Sequence, residues 1–307
     1  MLARLQQILA LTMLLAGIGW VAWALPVSIA LAVAGVLVLA LGHAVFLALE
    51  FIAVYIVNRR DSVPHAGFAA MVGAWWGESL MAPRVFLWRQ PFRSHAVPDH
   101  LTADSGIDIK GRRGVVFIHG FVCNRGFWNP WMQQLKGRGH AFVAVNLEPV
   151  FGSIHEYVPQ IEAAVAQVTQ ATGLPPVVIC HSMGGLAVRA WLRANCLAGL
   201  PDARVHHVIT IGSPHHGTWL SRFAFSANGT QMRLQGDWLE TLARDEPPER
   251  LQRFTCFYSN CDNIVFPAST AMLPGADNRL VRGAAHVDMA FDESVVRQSL
   301  AMLESAT

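Results

Sequence analysis

The chain has 307 residues and a formal net charge of +2 at pH 7, which is too small to favour nucleic-acid binding. Hydrophobic residues make up 53% and charged residues only 14%, a composition more apolar than that of an ordinary soluble protein. The five cysteines match neither a disulfide framework nor a zinc ribbon, so they fit a reducing compartment.

The first 60 residues predict a two-helix transmembrane hairpin. Between residues 5 and 57 the only ionisable side chains are those of His43 and Glu50. Pro26 divides this apolar run into two halves, and each half is long enough, as a helix, to cross a hydrocarbon core of about 30 Å. Glu50 is expected near one membrane interface, where a carboxylate costs less than at the bilayer centre.

Two alternatives to the hairpin remain open at this stage. Ala22-Trp23-Ala24 could be the cleavage site of a signal peptide, in which case Val27 onward would still provide one span. A buried core hairpin is the other alternative. Arg4 precedes the first run and Arg59-Arg60 follow the second, so the positive-inside rule places the rest of the chain in the cytoplasm. The predicted location is a bacterial-type inner membrane.

Residues 61–110 predict a linker that mixes aromatic, proline and charged residues. Helical spacing between Phe68 and Trp88 gathers much of the apolar set on one side, as in an amphipathic helix that lies at a membrane interface. The same segment could instead pack on the following domain as an N-terminal extension. The polar stretch 99–111 marks the start of that domain.

From residue 111 to the C-terminus the chain alternates between buried strands and helices. The strands are predicted at 114–118, 141–145, 176–180, 205–211, 254–258 and 279–281, and the helices at 128–136, 154–171, 184–197 and 293–303. This alternation predicts an α/β domain with a parallel sheet covered by helices on both faces. Residues 218–252 are irregular and partly helical.

A sharp turn follows the strand that ends at Cys180. The apolar run stops at Ser182, two glycines follow, and a helical segment begins, which is the context of a nucleophile elbow. Such a turn exposes the serine hydroxyl at the end of the sheet, and its glycines avoid collisions. Cys180 occupies the place of the first glycine of the G-x-S-x-G motif. A plain strand-to-helix turn is the alternative interpretation.

Four features in order resemble the α/β-hydrolase family, in particular its lipase and esterase branch. They are His119-Gly120-Phe121, the motif 181–185, the motif 212–218, and an Asp and a His after the last two strands. The resemblance implies an α/β-hydrolase fold over residues 111–307, preceded by the transmembrane hairpin. It also implies a cap-like insertion at about 218–252.

The family order of serine, acid and histidine then assigns three catalytic residues. Ser182 is the predicted nucleophile. His286 is the only histidine after His216, and its place in a loop after the last strand makes it the predicted base. Asp262 follows the strand 254–258 and is the predicted acid, which would orient the imidazole.

Other residues complete the predicted site. Asp277 is the reserve acid, and Asp288 is less suitable because it is close to His286 in sequence. By resemblance, the backbone amides of Phe121 and Met183 form the oxyanion hole. No metal and no cofactor are expected.

The predicted function is that of a membrane-anchored serine hydrolase that cleaves carboxylic esters, in particular acyl lipids. A thioesterase or acyltransferase with the same triad is one alternative, and a non-catalytic membrane protein that retains the fold is another. The expected partners are the bilayer and an acyl ester substrate, with no nucleic acid. The sequence does not indicate an oligomeric state.

Overall fold

The computed structural model describes residues 1–102 and 108–305. Two long apolar helices, α1 (Leu2–Ala24) and α2 (Ile29–Val57), pack against each other as a hairpin. Both are long and apolar enough to cross a membrane, a property that an N-terminal signal sequence shares. Most of their large apolar side chains are exposed, which does not fit a buried core hairpin.

The predicted linker forms a helical segment that packs on the hairpin. Helix α3 (Phe68–Pro83) runs into a π-helical stretch, Arg84–Arg89, and then into the short α4 (Gln90–Arg93). One side of α3 is buried, whereas Phe68 and Trp76 on its other side are exposed. The segment therefore both covers the following domain and presents aromatic side chains outward. Residues 103–107 of the predicted linker lie outside the described residues.

A parallel sheet of six strands forms the centre of the remaining chain. The strands are β1 (Val115–Ile118), β2 (Phe142–Ala144), β3 (Val177–His181), β4 (His207–Ile211), β5 (Phe254–Tyr258) and β6 (Asp277–Leu280). Their order is β2-β1-β3-β4-β5-β6, and every neighbouring pair is parallel. This agrees with the predicted alternation of strands and helices.

Helices cover both faces of this sheet, because successive side chains of a strand point to opposite sides. The helices are α5 (Asn129–Gly137), α6 (Val158–Thr172), α7 (Gly184–Leu197) and α12 (Glu293–Glu304). Val116, Val178 and Val208 pack with α6 and α7 on one face. Phe117 and Ile179 pack with α5 and α12 on the other. Strands buried on both faces account for their continuous apolar sequence.

The segment between β4 and β5 is built from short helices, as its irregular sequence suggested. They are a 3₁₀ turn (Trp219–Phe223), α8 (Ala227–Gln231), α9 (Asp237–Arg244) and α10 (Pro248–Leu251). Leu239 and Leu242 of α9 join the core beside α7. Phe225 is 97% exposed and Phe223 is also exposed. The segment therefore contributes to the core and leaves two aromatic rings at the surface.

Three details differ from the sequence expectations. His286 is the first residue of a short helix, α11 (His286–Met289), rather than a loop residue. Strand β6 begins at Asp277, two residues earlier than expected. Strand β4 begins at His207, two residues later than expected. Elements of four residues are too short for hydrophobic periodicity to define their ends.

Candidate active site

Ser182 lies directly after β3 on a strained turn. Its φ is +54°, in the left-handed region that non-glycine residues rarely adopt, and such outliers cluster at functional sites. The backbone N–H of Ser182 donates to the carbonyl oxygen of Ile211 at 2.9 Å, which ties the turn to the end of β4. The residue is only 7% exposed. This is the backbone geometry expected of a nucleophile elbow.

The glycines around Ser182 are required by close contacts between neighbouring segments. A Cβ at Gly184 would lie 2.5 Å from the carbonyl oxygen of Ile118, and one at Gly120 would lie 2.7 Å from Ser182 Cβ. Both distances are shorter than real Cβ contacts, so a side chain at either position would push β1 and the elbow apart.

Cys180 is compatible with the elbow because its side chain points into the core. It is fully buried and packs in the cluster that contains Val178 and Leu186. Burial raises the pKa of its thiol well above the ordinary value, and the neighbouring Cys256 raises it further. Cys180 is thus an inert core residue next to the elbow.

His286 and Asp262 form a buried pair. Nδ1–H of His286 donates to Asp262 Oδ2 at 2.9 Å, and both side chains are buried. The other carboxylate oxygen, Oδ1, accepts the backbone N–H groups of Ile264 at 2.8 Å and Val265 at 2.7 Å. These bonds fix the carboxylate, which in turn holds the imidazole in the tautomer with Nε2 unprotonated.

The charge of Asp262 also sets the basicity of His286. Burial alone would lower the pKa of this imidazole, but the charge and hydrogen bond of Asp262, together with the charges of Glu78 and Glu50, outweigh burial and raise the pKa above its ordinary value. A raised pKa strengthens His286 as a base for a hydroxyl proton.

Gly212 connects this pair to the elbow. It follows Ile211, the residue that accepts the Ser182 N–H. A Cβ on Gly212 would lie 2.9 Å from Asp262 Oδ2 and 3.2 Å from His286 Nδ1. The three predicted catalytic residues therefore lie at the carboxyl edge of the sheet, around the end of β4. In α/β sheets this edge is where ligands usually bind.

The predicted oxyanion segment, residues 119–121, follows β1 and is held by His119. Nε2 of His119 accepts the Leu147 N–H at 3.0 Å, so Nδ1–H donates to the Gly120 carbonyl oxygen at 2.9 Å. Burial lowers the pKa of His119 to about 4, which keeps the ring neutral. Val122, with φ +53°, adds strain to this turn. In the described part of the chain, no acceptor is found for the amide N–H of Phe121.

Met183 lies directly after the elbow serine, at the start of α7. No acceptor for its amide N–H is found within residues 1–102 and 108–305. The two predicted oxyanion donors thus leave their N–H groups available at the same edge of the sheet.

Two residues beside His286 had no role in the sequence prediction. His181 Nε2–H donates to the carbonyl oxygen of His286 at 3.1 Å, and its ring stacks on Phe127 with the centroids 4.5 Å apart. Burial and the positive charge of His286 lower the pKa of His181 well below the ordinary value, so the ring stays neutral. Asn263 Oδ1 accepts the His286 N–H at 3.1 Å. Both bonds hold the backbone of His286, the predicted base.

The other candidate acids are directed elsewhere. Asp277 lies on the edge strand β6 and pairs with Arg279 at 2.6 Å, half exposed to solvent. Asp288 lies in α11, where burial raises the pKa of its carboxyl group. Among residues 1–102 and 108–305, no group of three or more His, Cys, Asp and Glu side chains could hold a metal ion.

The sequence model of the Alpha/beta hydrolase family matches residues 115–302. The chain belongs to the alpha/beta hydrolase family. The match begins at β1 and ends within α12, so the apolar hairpin and the linker lie outside it. Membership of this family supports hydrolytic activity. No curated protein matches the sequence significantly.

Solved structures of two lipases share the alpha/beta hydrolase fold with this chain. The mature Bacillus licheniformis lipase BlEst2 matches with a TM-score of 0.55 and 18% identity, over 63% of this chain and 92% of its own. Aspergillus fumigatus lipase B matches with a TM-score of 0.55 and 18% identity, over 69% of this chain and 56% of its own.

Proposed function

We propose that this alpha/beta hydrolase is a membrane-anchored serine hydrolase that cleaves carboxylic esters through an acyl-enzyme. The observation that carries the proposal is the buried His286–Asp262 hydrogen bond of 2.9 Å beside a serine at φ +54°. A purely structural turn has no need of a strained serine next to a buried, oriented imidazole.

Each step of the proposed reaction uses a group at this edge of the sheet. Ser182 Oγ attacks the ester carbonyl carbon while His286 Nε2 takes the hydroxyl proton, and Asp262 stabilises the resulting imidazolium. The amides of Phe121 and Met183 donate to the oxyanion of the tetrahedral intermediate. The imidazolium then gives its proton to the leaving alcohol, and water, activated by His286, releases the acid from Ser182.

The proposed substrates are acyl lipids at a membrane surface. The apolar helices α1 and α2 would anchor the protein, and the exposed aromatic side chains of α3 and of the segment after β4 would lie near the bilayer. Lipases among the fold relatives make this substrate class chemically reasonable. Residues 1–60 would be the anchor, 61–110 the linker and 111–307 the catalytic domain, with 218–252 as its cap.

The proposed orientation places the catalytic domain in the cytoplasm, at the inner leaflet. Arg4 before the hairpin and Arg59-Arg60 after it support this side. A C-terminal fluorescent protein that matures only in the cytoplasm should then be bright, and a C-terminal alkaline phosphatase should stay inactive. The opposite pattern would place the domain outside the cell without affecting the proposed catalytic residues.

Labelling with a fluorophosphonate probe tests the chemistry. In membranes that contain the full chain, the probe should attach covalently to Ser182, and a panel of oxygen esters should be hydrolysed. If only thioesters are turned over, the protein is a thioesterase and not an esterase. Acyl transfer to an added alcohol without release of the free acid would indicate an acyltransferase. Absence of labelling in a correctly folded protein would refute the proposal.

A further inference from the structure

Helix α11, which begins with the proposed base His286, is held by the carboxylate of Glu78. Glu78 lies outside residues 115–302, which the family model matches. Glu78 lies on α3 and is 2% exposed. Its Oε1 and Oε2 accept the Val287 N–H at 3.2 Å, and Oε2 also accepts the Asp288 N–H at 3.1 Å. Glu78 thus binds the two backbone amides that directly follow His286.

A second carboxylate, from the apolar hairpin, is linked to the backbone of His286 through Asn263. Glu50 lies on α2, and its Oε2 accepts Asn263 Nδ2–H at 2.7 Å. The same amide group of Asn263 accepts the His286 N–H through Oδ1 at 3.1 Å. Since Asn263 is buried and follows Asp262, the contact with Glu50 fixes a residue that touches both the base and the loop of the acid.

Packing explains how these contacts are maintained. Helix α3 packs on α2 and on α11, and the apolar cluster between them includes Phe51, Met71 and Ala285. Two further hydrogen bonds join α2 to α3, from Trp75 Nε1 to the Ala44 carbonyl oxygen at 2.7 Å and between His43 Nε2 and the Ser79 carbonyl oxygen at 2.9 Å. The hairpin and α3 therefore approach the catalytic domain as one unit.

Burying a carboxylate without a cationic partner is costly, and Glu78 is buried while Glu50 is half-buried. Neither Glu50 nor Glu78 forms an ion pair with Lys or Arg among the described residues. An apolar contact or a neutral amide could join the helices at lower cost. Negative charge near His286 becomes useful when this ring carries a proton during ester cleavage, because it stabilises the imidazolium.

We propose that Glu78 and Glu50 are positioning residues for His286, so that the N-terminal segment completes the active site and is not only a membrane anchor. Their carboxylates fix the backbone on both sides of the imidazole and favour its protonated form. This inference rests on the proposed serine hydrolase function.

The charged groups around Glu78 determine how far its carboxyl group is ionised. Burial raises the pKa of Glu78 to about 7, although the charge of His286 and the two backbone hydrogen bonds lower it and Asp262 raises it. Asp288 faces Gly77, the residue that precedes Glu78 in α3. From α2, the titratable side chains on the side of α3 include His43, Glu50 and Tyr55. In return, both glutamates raise the pKa of His286.

The test compares the pH profiles of kcat/KM for the full-length parent, Glu78→Gln and Glu50→Gln. Glutamine keeps an acceptor oxygen but removes the charge, so each variant should lose activity mainly in kcat, by about tenfold for Glu78→Gln. Their acidic limb should shift to lower pH by about one pH unit, because an imidazole without nearby negative charge protonates less readily. Glu78→Asp, which keeps the charge, should lower kcat without this shift.

Glu162→Gln is the matched control, because Glu162 of α6 pairs with Arg204 and accepts the Trp191 Nε1–H, and neither of these partners belongs to the active site. Its acidic limb should coincide with that of the parent. If both glutamate variants keep the acidic limb of the parent, the carboxylates are structural and the inference is wrong. If Glu78→Gln does not fold, the acidic limb of the Glu50→Gln profile decides whether the inference holds. A parent that the fluorophosphonate probe does not label would refute the proposed function instead.

Discussion

The side chains of His286 and Asp262 are 24 positions apart in sequence, yet their hydrogen bond of 2.9 Å is buried at the carboxyl edge of the sheet. The bond lies next to Gly212. Within the described residues, Asp262 also accepts hydrogen bonds from the backbone amides of Ile264 and Val265 in its own loop. The pair is thus preorganised before any substrate binds. In the proposed reaction this preorganisation lowers the cost of forming the imidazolium.

Replacing the acid should reduce catalysis and leave the fold intact. Asp262→Asn is expected to lower kcat for ester hydrolysis by about 10⁴, because the amide favours the wrong imidazole tautomer. Asp277→Asn is the matched control, since Asp277 pairs with Arg279 on the edge strand, and it should keep the rate of the parent. Equal activity of Asp262→Asn and the parent would remove Asp262 from the mechanism.

The acidic limb of the pH profile should reflect His286. The imidazole must be neutral to accept the Ser182 proton, so kcat/KM falls as the pH drops through the pKa of His286. Because Asp262 raises this pKa, the limb should lie above the ordinary value of about 6.5. A pH titration with a short-chain ester measures it, and a limb below the ordinary value would contradict the assignment.

Adding a methyl group at Gly212 should disrupt the pair. Gly212→Ala places Cβ 2.9 Å from Asp262 Oδ2 at a φ of +57°, and a displacement of the pair by about 1 Å costs about 10² in kcat. Gly275→Ala is the control, because Gly275 also has a positive φ, +88°, but its Cβ would meet nothing closer than 3.6 Å. If both variants lose activity equally, backbone strain rather than the pair is responsible.

Cys180→Gly should keep activity but lose stability. The thiol fills core space between β3 and the helices, so removing it leaves a cavity and adds chain entropy, at a cost of about 2 kcal/mol in the free energy of unfolding. Thermal unfolding measures the loss, with the exposed Cys196→Ser as the control. Loss of turnover at full stability would give Cys180 a chemical role.

Local sequence patterns were sufficient to predict most of the fold. The strand that ends before Ser182 and the helix 184–197 carry their own signals, namely a buried apolar run, two glycines and helical spacing. The expected strand 254–258 and the C-terminal helix also agree with the structure. The short helix α11 was not predictable, because four residues show no period.

The contacts around His286 were beyond prediction for a different reason. Glu78 is 209 positions from Val287 and Glu50 is 213 positions from Asn263, so no local pattern joins them. In the sequence Glu50 was only a charge near a membrane interface, and Glu78 only a charge within an aromatic segment. The position of His181 directly before the elbow serine could have marked it as a residue of the site. Its hydrogen bond to the His286 carbonyl oxygen depends on tertiary packing and could not be predicted.

The rate of ester hydrolysis by Ser182→Ala in the full-length protein tests the central claim most directly. Ser213→Ala is the matched control, because Ser213 is a buried serine at the same edge of the sheet whose Oγ has no hydrogen-bond partner in the described residues. We predict that Ser182→Ala lowers kcat by about 10⁶ with an unchanged melting temperature, whereas Ser213→Ala stays close to the parent. Hydrolysis by Ser182→Ala within tenfold of the parent would contradict the account.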